Sequence, residues 1–129
     1  MSTDLLDALA DIVGADHALA GDSIGEDYTH DEAVTVEPVA PAVVVRPRST
    51  AEVAAVLALA NELGVPVTAR GSGTGLSGAA VPDAKGILLS LASMKGVVEI
   101  DPANHVAVVQ PGLTLAELDE HLAPHDLIY

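Results

Sequence analysis

The sequence predicts an α+β fold, in which a small parallel strand–helix–strand unit precedes an antiparallel sheet with helices. Three observations favour this class. A strand, a capped helix and a second strand follow one another over residues 42–69. Three further apolar runs come after a glycine-rich segment at residues 70–78, with connections short enough for antiparallel neighbours. Half of the 129 residues are apolar, which suffices to bury a core.

The residues before this unit predict a helix and then an acidic connector. Apolar residues recur at helical spacing over residues 3–13, and Gly14 can end the helix. Residues 15–41 show no regular pattern, and we expect their carboxylates to be solvated. Those carboxylates are Asp16, Asp22, Glu26, Asp27, Asp31, Glu32 and Glu37. The predicted division therefore lies between a helix with an acidic lead-in, residues 1–37, and a domain at residues 38–129.

The parallel unit has two apolar strands, residues 42–46 and 65–69, which we expect to form a buried parallel pair. Between them, Ser49 and Glu52 have the spacing of a capping box, and Gly64 is placed to end the helix. The apolar stripe of this helix consists of Val53, Val56, Leu57, Ala60 and Leu63.

Three apolar runs predict the antiparallel sheet. They are residues 86–91, 97–100 and 105–110. A second capping box, Thr114 with Glu117, then begins a short helix whose leucines are predicted to face inward. Those leucines are Leu115, Leu118 and Leu122. Residues 127–129 are predicted to begin a further strand.

The charge and the residue types exclude several classes of function. The net charge is −14, with five basic and nineteen acidic residues, so binding to nucleic acid or to an anionic membrane surface is not expected. The chain has no cysteine, which excludes disulfides, thiolate catalysis and cysteine-ligated metals. It shows no basic leader and no apolar run near the ~20 residues that span a bilayer, so we expect a cytoplasmic location.

The glycine-rich segment at residues 70–78 follows a strand and predicts a cradle for phosphate. Its glycines are Gly71, Gly73, Gly75 and Gly78. Glycine reaches positive φ at little cost, and successive N–H groups on such a loop form a concave anion site. Ser72, Thr74 and Ser77 add hydroxyl donors. The segment is therefore typical of a site for a phosphate-bearing cofactor.

Two common phosphate-binding motifs do not fit this segment. Residues 73–78 satisfy G-x-G-x-x-G, but residues 79–86 contain Pro and Gly and are too short for the crossover helix that a Rossmann fold requires. A Walker A loop is excluded because no Gly-Lys-Ser/Thr follows the glycines. A glycine-rich turn without a ligand is the remaining structural alternative.

The order of these features resembles the FAD-binding domain of the vanillyl-alcohol oxidase family, also called the PCMH-type fold. The resemblance rests on Val-Pro-Val-Thr-Ala-Arg at 65–70, Gly-Ser-Gly-Thr-Gly-Leu-Ser-Gly at 71–78 and Val-Gln-Pro-Gly at 109–112. It covers about residues 38–129, and Tyr-Thr-His-Asp at 28–31 also fits. Within the family, the sequence is most similar to the branch of the glycolate oxidase subunit and D-lactate dehydrogenase.

The resemblance implies that the segment wraps the diphosphate of FAD through its backbone N–H groups, and that a later Pro-Gly pair lines the cofactor cleft. The implied cofactor contacts are Arg70, Gly71, Ser72, Gly73, Thr74, Gly75, Leu76, Ser77, Gly78, Pro111 and Gly112. Several relatives carry a loop histidine that bonds covalently to the flavin. Thr74 lies at that place and cannot form the link, which implies non-covalent FAD. Arg70 is either a charge at the strand end or a contact to phosphate.

The resemblance further implies an oxidoreductase in which FAD takes a hydride from a 2-hydroxy acid such as glycolate or D-lactate. A family FAD domain usually continues beyond residue 129 and is followed by a cap domain with most catalytic residues. We therefore expect an N-terminal part, completed by a missing cap domain or a companion subunit. No catalytic residue is assigned within residues 1–129.

No metal site is predicted either, because the histidines show no metal-ligand spacing. They are His17, His30, His105, His121 and His125. Two alternatives to the enzyme remain open at this point, a non-enzymatic nucleotide-binding module and an inactive truncated remnant.

Overall fold

The computed structural model describes residues 2–129, and Met1 lies outside the described residues. Within them the chain forms three helices and two sheets, which confirms the α+β class. The helices are α1 (Ser2–Val13), α2 (Thr50–Leu63) and α3 (Leu115–Leu122). The strands are β1 (Ala18–Leu19), β2 (Val43–Val45), β3 (Val67–Arg70), β4 (Ile87–Ser90), β5 (Val97–Asp101) and β6 (Val106–Val109). Single 3₁₀ turns cover Ala15–His17, Gly21–Ser23, Glu26–Thr29 and Ala123–His125.

The larger sheet is built around β4. Its strand order is β1-β2-β4-β3, with β4 parallel to both β2 and β3, and β1 antiparallel to β2. Leu88 of β4 is the register partner of both Val44 and Thr68. The strands predicted as a parallel pair, β2 and β3, are therefore separated by β4. The prediction that residues 86–91 belong to the antiparallel sheet was wrong.

The burial of β4 explains this placement. All four of its residues are buried, and a strand that is buried on both faces belongs in the interior of a parallel sheet. The connection from β3 to β4 spans residues 71–86, which is long enough for a parallel crossover without a helix. The short connection at residues 91–96 leads instead from this sheet to the second one.

The helix α1 and the strand β1 share one core with the larger sheet. Their buried residues Leu9, Val13 and Ala18 cluster with side chains of β2, α2 and β4. Residues 15–41 were predicted to lack regular structure, and the presence of β1 shows that this was wrong for two of them. The sequence did not indicate β1 because a two-residue strand is too short to show an alternating pattern. The division between residues 37 and 38 stays a prediction.

Both ends of α2 are capped. Ser49 Oγ accepts a hydrogen bond from Glu52 N at 3.2 Å, and Gly64 ends the helix in the left-handed region, with φ of 65°. The Glu52 carboxylate accepts a hydrogen bond from Arg48 N at 2.7 Å, that is, from the residue before Ser49. On the predicted stripe, Val56 and Ala60 are buried, whereas Leu57 and Leu63 are exposed.

The smaller sheet is an antiparallel hairpin of β5 and β6, with a register shift between Val97 and Glu99. The helix that follows has the predicted capping box, in which Thr114 N donates to Glu117 Oε2 at 2.8 Å and Glu117 N donates to Thr114 Oγ1 at 3.3 Å. Leu118 and Leu122 are buried as expected.

Two predictions near the end of the chain were wrong. Leu115 is 61% exposed, although it shares a helix face with Leu118 and Leu122, because it lies in the first turn of α3 and lines an open cleft with them. Residues 127–129 form no strand, and Tyr129 N donates instead to Asp119 Oδ1 at 3.3 Å. No helix within residues 2–129 has both the length and the apolar character needed to cross a bilayer.

The cap of α3 generates a pH-dependent prediction. Lys95 Nζ lies 2.7 Å from Glu117 Oε1, and this hydrogen bond, with those from Thr114, lowers the pKa of Glu117 to about 2 from an ordinary value of 4.5. Because the folded pKa is depressed, the carboxylate stabilises the fold above about pH 4.5, and this contribution is lost as the pH falls towards 2.

We predict that Glu117→Gln lowers the free energy of unfolding at neutral pH, and that its difference from the wild type shrinks between pH 4.5 and pH 2. Urea unfolding at a series of pH values measures this difference. Glu120→Gln, an exposed position on the same helix, is the control. A difference that stays constant over the whole range would contradict the assignment.

Candidate functional site

The glycine loop, residues 71–78, begins at the carboxyl edge of the larger sheet. Arg70 ends β3, and its carbonyl oxygen accepts from Leu91 N at 2.9 Å. Gly112 reaches the same edge, because its N–H donates to Met94 O at 2.8 Å and a Cβ built on it would overlap Leu91 O. In open α/β sheets this edge is where ligands bind. The structure thus brings both predicted parts of the site to one edge.

The glycine loop leaves its backbone donors unpaired. Among the residues that the structure describes, none accepts a hydrogen bond from a backbone N–H of residues 71–78. Six of the eight residues are exposed, and Leu76 is 80% exposed. Unpaired N–H groups on an exposed loop are available to an anion, because they need no internal bond to be broken first.

The loop is held through its carbonyl groups instead. Gly75 O accepts from Glu32 N at 2.9 Å, and Gly78 O accepts from Val81 N at 3.1 Å. Both bonds use acceptors, so they fix the loop without occupying a donor.

Two of the glycines are required by backbone geometry. Gly73 and Gly78 have φ values of 73° and 76°, in the region that favours glycine. A Cβ on Gly73 would overlap the guanidinium of Arg70, and one on Gly78 would lie 2.7 Å from Val36 Cγ2. Gly75 differs, because its φ is not positive and its Cβ would meet Asp31 Oδ2 at an ordinary 3.7 Å.

Arg70 lies buried beneath the loop. Its side chain is 8% exposed, and Nη1 donates to His30 O at 2.5 Å. The guanidinium therefore anchors the base of the loop to residues far earlier in the chain. A direct contact of Arg70 with phosphate stays a prediction.

Asp31 belongs to this arrangement, and the sequence did not single it out. It is 6% exposed, and its carboxylate accepts from Ala33 N at 3.0 Å and from Ala80 N at 3.4 Å. The expectation that all carboxylates of residues 15–41 are solvated was wrong for Asp31, although the other six are exposed. The only signal in the sequence was the Tyr-Thr-His-Asp run at residues 28–31, which charge patterning does not separate from its neighbours.

The remaining predicted site residues lie on the surface. Ser72, Thr74, Ser77 and Pro111 are exposed. Two apolar clefts lie elsewhere, one of about 490 Å³ between β6, α3 and the C-terminal residues, and one of about 810 Å³ between α1 and α2. The loop lines neither of them. Across residues 2–129, no group of three or more His, Asp or Glu side chains is arranged to hold a metal ion.

Comparison with known proteins assigns the chain to a family. Residues 41–129 match the family described as FAD binding domain. The chain belongs to this family. FAD, the cofactor that the family resemblance implied, is thereby confirmed.

The chain is similar to parts of several longer proteins. An uncharacterized FAD-linked oxidoreductase of Mycobacterium tuberculosis is 52% identical over 120 residues, which are 93% of this chain and 26% of that protein. A D-lactate dehydrogenase of Anaerostipes hadrus is 41% identical over 111 residues, 86% of this chain and 23% of that protein. The glycolate oxidase subunit GlcD of Escherichia coli is 45% identical over 89 residues, 69% of this chain and 18% of that protein.

The chain thus spans about a quarter or less of the length of these relatives. It corresponds to the FAD-binding part of FAD-linked oxidoreductases, and the resemblance to the branch of the glycolate oxidase subunit and D-lactate dehydrogenase is confirmed.

Solved structures show the same fold. p-Cresol methylhydroxylase with bound substrate superimposes with a TM-score of 0.82 at 23% identity, over 97% of this chain and 25% of that one. 4-Ethylphenol oxidase from Gulosibacter chungangensis gives a TM-score of 0.82 at 25% identity, over 96% of this chain and 24% of that one. The PCMH-type fold is therefore confirmed.

The role of Arg70 as an anchor can be tested by stability. We predict that Arg70→Ala lowers the free energy of unfolding by about 2–3 kcal/mol, because a buried charged hydrogen bond is lost. Arg48→Ala is the matched control, since that side chain is 54% exposed and pairs with Glu52 on the surface. It should cost less than about 1 kcal/mol. Urea unfolding measures both, and equal losses would contradict the buried anchor.

Proposed function

We propose that the glycine loop binds the diphosphate of FAD, and that the protein carrying this domain oxidises a 2-hydroxy acid of the glycolate or D-lactate class. The observation that carries the proposal is the run of unpaired backbone N–H groups on the largely exposed loop at residues 71–78. The substrate class is supported by the relatives named D-lactate dehydrogenase and glycolate oxidase subunit.

The chemistry of the loop suits a diphosphate in an acidic protein. A net charge of −14 repels an anion at long range, so the attraction must come from short hydrogen bonds. Neutral backbone donors supply such bonds without basic side chains. The absence of a side chain at Gly73, Gly75 and Gly78 lets a ligand approach the backbone closely. The hydroxyls of Ser72, Thr74 and Ser77 would add further donors.

The residues of this chain would bind and orient the cofactor. FAD, when bound, supplies the acceptor for the hydride on the carbon that bears the substrate hydroxyl. Residues 70–78 would hold the diphosphate, and Pro111 with Gly112 would line the cleft beside Leu91. Threonine at position 74 offers no ring nitrogen for a flavin link, which favours non-covalent binding. We assign no residue of this chain as the base that takes the proton of the substrate hydroxyl.

The partners of this domain are also part of the proposal. A cap domain or a companion subunit would complete the substrate site, and the naming of the similar GlcD protein as a subunit supports the second possibility. A cytoplasmic location stays a prediction.

A titration of the purified chain with FAD tests the assignment of the loop. We predict saturable quenching of flavin fluorescence that ATP does not reverse. Gly75→Val should weaken FAD binding at least about tenfold, which corresponds to about 1.4 kcal/mol, because the branched side chain blocks close approach. Its free energy of unfolding should change little, since the φ of Gly75 is not positive and a Cβ built there makes only an ordinary contact. Ala79→Val, just outside the loop, should bind FAD like the wild type.

The other outcomes have distinct meanings. Displacement of FAD by ATP would favour a general nucleotide-binding module. Equal FAD affinity in Gly75→Val and the wild type would overturn the loop as the binding site. A folded wild-type chain that binds no FAD would contradict the proposal for this chain.

A further inference from the structure

Residues 28–36, here called the bracing segment, lie against one side of the glycine loop. Each contact between them holds a loop carbonyl, the residue before the loop, or a glycine position, and none uses a loop N–H. Two of them are hydrogen bonds, Glu32 N to Gly75 O at 2.9 Å and Arg70 Nη1 to His30 O at 2.5 Å. In addition, the Val36 side chain lies so close to Gly78 that a Cβ built on this glycine would be 2.7 Å from Val36 Cγ2. The bracing segment therefore supports the loop and leaves its donors free.

Asp31 makes the polar contact between the bracing segment and the far end of the loop. Its Oδ1 accepts from Ala33 N at 3.0 Å, which forms a local turn within the segment. Its Oδ2 accepts from Ala80 N at 3.4 Å, two residues beyond Gly78. One carboxylate thus bridges two backbone segments that are 49 positions apart in the sequence.

A buried carboxylate is an unexpected choice beside a site for an anion. Burial removes its hydration, and its charge opposes that of a diphosphate. Asp31 is nevertheless 6% exposed and lies 3.7 Å from the Cβ position of Gly75. A neutral residue would avoid this repulsion. The presence of a carboxylate here is therefore explained by the two backbone hydrogen bonds that Asp31 accepts.

We propose that Asp31 is a positioning residue for the cofactor loop. By holding Ala33 and Ala80 together it fixes the bracing segment against the loop, so that the N–H groups of residues 71–78 stay aligned for diphosphate. Asp31 does not itself contact the cofactor. The inference rests on the proposed function of the loop, and its test includes a measurement that needs no FAD.

The test compares Asp31→Ala, Asp31→Asn and Glu37→Ala. Asp31→Ala removes both acceptors, Asp31→Asn keeps one side-chain oxygen, and Glu37→Ala removes an exposed carboxylate just after the bracing segment. The dissociation constant for FAD is measured by flavin fluorescence at a temperature well below the melting transition. Hydrogen exchange of the Ala80 and Glu32 amides is measured in the FAD-free protein, with the Leu88 amide of the central strand as reference.

We expect Asp31→Ala to raise the dissociation constant about tenfold, since a loss near 1.4 kcal/mol is typical for buried hydrogen bonds. Asp31→Asn should give an intermediate value, and Glu37→Ala should match the wild type. In the FAD-free protein, Asp31→Ala should speed exchange at Ala80 and Glu32 but leave Leu88 unchanged. A role in global stability alone would speed exchange at all three amides and leave the dissociation constant unaltered.

Two results would overturn the proposal in different ways. If the wild type binds FAD and Asp31→Ala binds it equally well, Asp31 does not position the loop. If the wild type binds no FAD, the proposed function fails, and exchange alone decides the inference. Unchanged exchange at Ala80 and Glu32 in Asp31→Ala would then reject the positioning role.

Discussion

A loop that offers its backbone N–H groups to a ligand cannot use them to hold its own shape, and this constraint governs the structure around residues 71–78. An ordinary turn satisfies its donors internally. Here the supporting bonds use the carbonyls of Gly75 and Gly78. The buried side chains of Arg70 and Asp31 supply the rest, from below and from beside the loop. The cost is that residues distant in sequence must be brought together before the loop has a defined shape.

The larger sheet brings these distant residues together. Because β2, β4 and β3 are parallel, their carboxyl ends lie on one edge, where the glycine loop begins and where Gly112 approaches Leu91. Pairing with the buried central strand β4 fixes the position of Arg70 at the end of β3, since Arg70 is the register partner of Ser90. The helix α1 packs into the same core, so the chain leading to the bracing segment is fixed as well. The site thus depends on the core for its position and on the bracing segment for its shape.

The parts of the fold that follow local rules could be predicted from the sequence. The caps at Ser49 and Thr114 were predicted because each depends on residues within one helical turn. The position of β4 was not, because a short apolar run does not show which strands will flank it. The loop itself was recognisable from its glycines, although sequence alone did not distinguish Gly73, which needs positive φ, from Gly75, which does not. Asp31 was missed because one of its two hydrogen bonds depends on a residue 49 positions away.

The most direct test of this account is an amide nitrogen–proton NMR spectrum of the chain, recorded with and without saturating FAD. The account predicts that the largest shift changes fall on the amides of residues 71–78, because those N–H groups acquire their acceptor from the ligand. The helix α1 contains no residue assigned to the FAD site. It therefore serves as the internal reference and should shift little. Saturable binding with the largest changes outside residues 71–78 would contradict the claim that this loop is the anion site.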